Sequence, residues 1–401
     1  MKPYYLSGAL IIALFSASCE RGGNNVEAPA TYEFERNGVS TVSYTGQTER
    51  LAMGGELGSA LLDPTSTEVR LDEMFANEDA SGGDVDPFTD AALNASSKSI
   101  RSKVAASAAY FSSNATASAQ IKADFDQWIA LQVSDILPFV DSLASAGKPG
   151  QIADGTTPRY VDGLGLEYDQ LVIKGLNGAL VLDQMLNNYL DPSVLDAGTN
   201  REDQENGVLV EGKDYCMMEH KWDEAYGYLF GGASDGASPL GSLGGDDVFM
   251  NKYLGRMVND ADFESFDTDI FNALKLGRAA IVEGDYELRD EQADIVKKRM
   301  SEIVAVRAVY YLEAGAVELA AGNYGSMFHD LSEGYGFIYS LMFTQNPETG
   351  APYFSKAEVE AMLEDLMDDG ANGLWDVEAS TLTMMADDIA ARFDFTVEQA
   401  F

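Results

Sequence analysis

The chain has 401 residues, 46% of them hydrophobic, enough for one large or two medium packed domains and too many for disorder throughout. Its 66 acidic against 26 basic residues give a formal net charge of −40. That balance argues against nucleic acid and against electrostatic docking on anionic lipid, and it favours solubility where salt screens self-repulsion.

Residues 1–18 read as a secretory signal: Lys2, an apolar run over 10–15, then the small residues Ser16, Ala17 and Ser18 before Cys19. The end of this stretch looks like a lipobox, so Cys19 is the expected lipidation site and residues 19–30 a tether. No later run is apolar for long enough to span a bilayer. The expected location is therefore an exported, outer-membrane lipoprotein facing the periplasm or the cell surface, held by lipid alone. With Cys19 so used, Cys216 is left without a partner and reads as a buried small hydrophobe, or as a thiol with His220 four residues on.

Residues 31–47 alternate Tyr32 and Phe34 with Val39 and Thr41 around Asn37-Gly38, a hairpin signal. Helices are expected over 48–62 and 66–76, the second with a Ser or Thr cap. The loop over 77–90 carries Asp79, Asp84, Asp86 and Asp90, oxygen donors suited to calcium but without EF-hand spacing. From 91 the pattern is helical. Residues 92–111 are Ala- and Ser-rich, and 115–146 carry a stripe of Ile121, Phe125, Trp128, Ile129, Gln132, Ile136 and Phe139, with a kink expected at Pro138.

Residues 146–165 read as turns, and 168–190 as a helix apolar on most faces apart from Lys174 and Asp183. A polar loop over 191–214 leads to a motif helix. The stretch 231–246 is Gly-rich and reads as a flexible join between halves. Helices are then expected over 247–258, 263–283 and 285–321, the last with Arg307, Glu313 and Glu318 as lone charges that should be paired or functional. A second motif helix and helices over 355–369, opened by a Ser355/Glu358 capping box, and 379–401 complete the set.

Two stretches share one pattern of His, Glu four residues on, then Tyr-Gly-aromatic. The first is His220, Glu224, Tyr226, Gly227 and Tyr228; the second is His329, Glu333, Tyr335, Gly336 and Phe337. These are the only two histidines, and their offset (329 − 220 = 109 residues) reads as an internal repeat. The expected fold is all-α: two pseudo-repeated helical bundles with a small N-terminal β-hairpin, one bundle in 31–230 and the other in 247–401.

Residues at i and i+4 share a helix face. His220 with Glu224 and His329 with Glu333 therefore form a candidate two-His, two-carboxylate set for iron or zinc, with Asp223 as a further ligand. Trp222, Tyr226, Tyr228 and Tyr335 are the candidates for shaping such a site. The alternative is that each His–Glu pair only locks a helix against its neighbour. A zinc peptidase of the H-E-x-x-H kind needs two histidines on one helical face, and each motif here has one. No phosphate loop or dinucleotide fingerprint is present.

At these residues the chain resembles imelysin-like lipoproteins of Gram-negative bacteria and, more closely, the related domain of unknown function family 4856. The likeness is carried by TYEFERNGVSTVSYTGQTERL near the start, MEHKWDEAYGYLFG in the middle and DDIAARFDFTVEQAF at the end. It implies two helical bundles, attachment to the outer membrane and a link to iron uptake. The imelysin signature Gly-x-His-x-x-Glu is met here by Met218, His220 and Asp223, so only His220 carries over in place, with Glu224 as the alternative acid. The resulting expectation is a surface binding protein for a metal or a metal-bearing small ligand, with an imelysin-type metallopeptidase and a partner-binding lipoprotein as the competing classes.

Overall fold

The structure, a computed structural model, describes residues 26–401. The signal segment and Cys19 lie outside the described residues. Among the described residues helices account for 58%, beside two small two-stranded sheets, so the fold is all-α. The N-terminal hairpin forms where it is expected. Strands β1 (Glu35–Arg36) and β2 (Val39–Ser40) pair antiparallel around Asn37 and Gly38, whose φ values of 54° and 76° suit a tight turn. Helix α1 (Thr45–Leu61) follows, then α2 (Glu68–Ala76), whose Thr67 cap accepts from the Arg70 amide.

The helix expected over 92–111 does not form beyond α3 (Ala91–Asn94). Tertiary contacts outbid alanine's helix propensity there: the Ala105 amide donates to the Ala179 carbonyl, and the Ala106 and Ser107 amides donate to the buried Asp183 carboxylate. Ala105 takes a left-handed φ of 45°. The next helix, α4 (Ala115–Leu131), ends earlier than expected in a π-helical turn (Gln132–Ile136) and a 3-10 turn around Pro138 (Leu137–Phe139). A second hairpin replaces the turn-rich stretch read at 146–165. Its strands β3 (Gly150–Asp154) and β4 (Thr157–Val161) are joined through Gly155 at φ 57°.

Helix α5 (Tyr168–Leu176) opens the central apolar segment, which continues through π-helical turns at Asn177–Leu182 and Met185–Tyr189 and is buried almost throughout. Short helices α6 (Pro192–Leu195) and α7 (Asn200–Glu205) interrupt the expected polar loop. The first motif helix is α8 (Met217–Phe230). The Gly-rich join after it is tied down: Thr48 donates to the Gly231 carbonyl, Tyr226 to that of Gly236, and the Tyr32 amide to that of Ala237.

Helices α9 (Met250–Met257), α10 (Phe266–Glu283), α11 (Tyr286–Ala321), α12 (Tyr324–Ser340), α13 (Lys356–Met367), α14 (Ala379–Ala390) and α15 (Val397–Ala400) follow. The capping box of α13 forms as read, with Ser355 accepting from the Glu358 amide. The 36-residue α11 is the spine, with α10, α12 and α14 laid along it, and α12 packs in turn against α5. Its buried apolar face joins one core cluster running from Tyr32 to Ala400. Among the described residues no helix is long and apolar enough to cross a membrane.

Candidate functional site

The first motif helix starts on Cys216, whose amide donates to the Glu219 carboxylate at 2.7 Å. Burial and the neighbouring Glu219 carboxylate push the Cys216 thiol above its usual range, which disfavours the thiolate a nucleophile needs. One turn on, the His220 ring stacks on Tyr215 (4.4 Å between centroids) and its Nδ1 lies 3.0 Å from the Ser43 carbonyl oxygen. Its Nε2 faces Glu224 at 4.0 Å, beyond hydrogen-bond reach. Glu224 is held by Lys221 (3.1 Å) and by the Gln47 amide of α1 (3.1 Å). Burial lowers the His220 pKa, so its imidazole is neutral at pH 7.

Asp223 and Glu224 leave the helix on opposite flanks of His220. The Glu224 flank meets α1, whereas the Asp223 flank is sealed against α10. Asp223 accepts from Arg278 Nε (3.0 Å), the Tyr32 hydroxyl (2.8 Å) and the Ser43 amide (3.2 Å). Arg278, fully buried, also reaches Glu219 (3.2 Å) and Thr41, and Glu219 pairs with Arg36 of the hairpin (3.0 Å). Two cations and two carboxylates thus clamp the N-terminal hairpin onto α8 and α10. Asp223 is engaged in that clamp and its carboxylate does not share the His220–Glu224 face.

The second copy is more strongly charged. His329 Nδ1 lies 2.7 Å from Glu167 Oε2, and His329 Nε2 faces Glu333 Oε1 at 3.9 Å. Glu333 pairs with Lys174 of α5 at 3.0 Å. Burial pushes Glu167 up to about 8 and Asp169 up to about 7, and burial with the charges of Arg159 and Lys174 pulls His329 down to about 4. His329 keeps about a fifth of its side chain in solvent while Glu167 keeps 4%.

The two motif helices hold their histidines alike. In each, the Nδ1 side of the histidine is tied at the start of a neighbouring helix and the Nε2 side is left facing a glutamate that already has an ammonium partner. The Ser43 amide donates to Asp223 of the first copy, and the Glu167 amide donates to Ser332 at the matching place in the second. A Cβ on Gly227 would stand 2.4 Å from that of Tyr44, and one on Gly336 2.4 Å from that of Lys174. Each Tyr-Gly step therefore lets a second helix close on the motif helix.

No hydrogen bond or ion pair links the two sets among the described residues, and no group of three or more His, Cys, Asp or Glu side chains there is arranged to hold a metal ion. Of the aromatics expected to shape a ligand, Trp222, Tyr226 and Tyr228 are buried and Tyr335 is half-buried. Trp222 donates to the Leu274 carbonyl and lies against Gly277, Tyr226 stacks on Tyr32 at 3.6 Å, Tyr228 is buried near Tyr189, and Tyr335 sits edge-on to Trp128. In the acidic loop, Asp79 accepts from Ser81 and Gly83, and Asp90 caps α3. Glu167 and Arg278 were not singled out by sequence pattern; Lys174 was, as a lone charge in an apolar helix.

The sequence model described as domain of unknown function (DUF4856) matches residues 29–396. The chain belongs to this family. The match begins just before the hairpin and takes in both motif helices, so the clamp and the two His–Glu pairs are all inside the family domain. No curated protein and no solved structure matches the chain.

Proposed function

We propose that this DUF4856 protein is an exported, lipid-anchored binding protein without catalytic activity, which takes a metal as part of a ligand that brings donors of its own. The observation that carries the reading is the free Nε2 in both copies, 4.0 and 3.9 Å from a glutamate oxygen while Nδ1 is fixed by its own partner. A ligating histidine is commonly oriented in this way, through a hydrogen bond at its other nitrogen. An ion bonded at about 2.1 Å to nitrogen and to oxygen fits that gap after a small side-chain rotation. With only two protein donors per pair, the remaining ligands come from the bound molecule, and Lys221 and Lys174 beside the carboxylates suit an anionic chelate.

A second reading has its own support: each carboxylate is already answered by an ammonium at 3.1 or 3.0 Å, as a pair that only locks two helices would be. Elemental analysis of the protein incubated with iron or zinc, free and as citrate chelates, separates the two. Retained metal that is lost in His220→Ala and His329→Ala, with the fold intact, supports binding. No retained metal, with a large fall in melting temperature in both variants, leaves the motif as a packing device.

A further inference from the structure

In a chain with 66 acidic and 26 basic residues, four cations gathered about a single carboxylate call for an explanation. Such a group lies where α5, α9, α11 and α12 meet. Lys252 Nζ, Arg256 Cζ and Arg307 Cζ stand 5.7, 5.4 and 5.8 Å from the ring centre of Tyr253, and Lys174 Nζ stands 5.8 Å from it. Lys174 is answered by Glu333. The other three make no ion pair among the described residues; Arg256 instead donates to the Tyr311 hydroxyl at 2.7 Å.

Arg307 is the most telling member. It is 7% exposed, its guanidinium lies over Tyr310 (4.0 Å) and Tyr311 (4.5 Å), and its Nε is sealed from solvent with no hydrogen-bond partner. The Tyr253 hydroxyl is likewise buried, with the Lys174 ammonium as its polar neighbour. Aromatic faces offset part of the desolvation of a guanidinium, but they leave its N–H groups unsatisfied. Burial and the neighbouring Arg256 pull Arg307 down to about 10, and burial with Lys174 pulls Lys252 down to about 8. A buried cation with its Nε donor unused, beside two more of like charge, is unfavourable in the free protein and becomes favourable when an anion enters.

We propose that this junction binds a small oxyanion, a phosphate or carboxylate group, held by Arg307, Lys252 and Arg256 with the Tyr253 hydroxyl beside them. The site does not depend on any metal being bound at His329 and Glu333. At the first motif helix Lys103 and Lys221 likewise stand 5.7 and 5.2 Å from the ring of Tyr189, but there Lys221 and Gln47 both engage Glu224.

The test is calorimetric titration of the chelator-treated, detergent-purified full chain with inorganic phosphate and, separately, with citrate at fixed ionic strength. Saturable binding near one per chain is expected for at least one of them. Phosphate alone points to phosphate esters, citrate alone to carboxylates, and both to a general oxyanion site. Arg307→Met is expected to weaken binding tenfold or more, and the more exposed Lys252→Ala and Arg256→Ala several-fold. Without ligand, Arg307→Met is expected to melt at or above the parent temperature, because an uncompensated charge has been removed. Failure of both anions to saturate, unchanged affinity in all three variants, or a ligand-free Arg307→Met protein that melts well below the parent would overturn the proposal.

Discussion

Glu167 Oε2 and His329 Nδ1 lie 2.7 Å apart, and burial moves the two groups in opposite directions, the carboxyl up to about 8 and the imidazole down to about 4. At neutral pH both are therefore uncharged. The sign of the pH effect follows from linkage. Glu167 binds its proton more tightly folded than unfolded, so its contribution is complete below the unfolded pKa near 4.5 and is lost as pH rises through 8. His329 binds its proton less tightly folded, so its contribution is present above about 6.5 and is lost as pH falls through 4. The two trends oppose each other between 4.5 and 6.5, and above 6.5 only the Glu167 loss remains. The expected outcome is a loss on the order of 2 kcal/mol between pH 6.5 and 8 from this one group. Urea unfolding across that range is expected to be flatter in Glu167→Gln than in the parent; equal slopes would show that the carboxyl is already ionised at pH 6.5.

The Arg278 clamp is expected to be among the most sensitive points of the fold. Arg278→Met leaves Asp223 buried with no cation and Glu219 with Arg36 alone. Breaking one side of a buried ion pair in this way costs about 3–5 kcal/mol. Tyr32→Phe removes only one hydrogen bond to Asp223 and is expected to cost about 1–2 kcal/mol. Chemical denaturation gives both numbers, and a cost below 1 kcal/mol for Arg278→Met would mean that water reaches the cluster. Because Tyr32, Arg36 and Thr41 all enter from the hairpin, protease nicking near residue 30 is expected to accelerate in the same order.

The motif residues were legible as a pattern but their partners were not. His220 with Glu224 and His329 with Glu333 do share helix faces, because 3.6 residues per turn brings i and i+4 together whatever surrounds them. What each face meets depends on pairings across the chain, 162 residues in the case of Glu167 and His329, and no local pattern encodes them. The same cause explains the misread 92–111 stretch, where the carboxylate of Asp183 takes up amides that a helix would otherwise have used. The second hairpin escapes the pattern because its strands are short and weakly alternating, and its two-residue loop, Gly155-Thr156, lacks the Asn-Gly pair that marks the first. Arg307 was visible as a lone charge in an apolar helix; that it lacks a partner became apparent only in three dimensions.

Gly227 and Gly336 carry the close approach of α1 and α5 to the two motif helices. An added methyl meets the Cβ of Tyr44 in one case and that of Lys174 in the other, each at 2.4 Å, so no rotamer change relieves the contact. Replacing a helical glycine with alanine gains about 1 kcal/mol in propensity, but forced overpacking costs about 1–3 kcal/mol or more. Net destabilisation is expected for both Gly227→Ala and Gly336→Ala in thermal melts. In Gly336→Ala the displaced helix carries Lys174 away from Glu333, so this variant is also expected to change the affinity for metal chelates and for phosphate.

Adjacent positions on α1 provide the sharpest check on this packing argument. A Cβ on Gly54 would stand 2.3 Å from the ring of the fully buried Phe249, whereas one on Gly55 meets nothing within 4 Å. Gly55→Ala is expected to stabilise the protein by about 0.5–1 kcal/mol, since only the helix propensity changes. Gly54→Ala is expected to destabilise it, because the Phe249 ring must move. Phe249 directly precedes α9, which carries Lys252, Tyr253 and Arg256, so a shifted ring moves the helix that supplies most of the oxyanion site. Phosphate titration of the two variants is expected to show weakened binding in Gly54→Ala and parental binding in Gly55→Ala. A Gly54→Ala protein as stable as the parent would mean that Phe249 is loosely held and that α9 is not positioned through it.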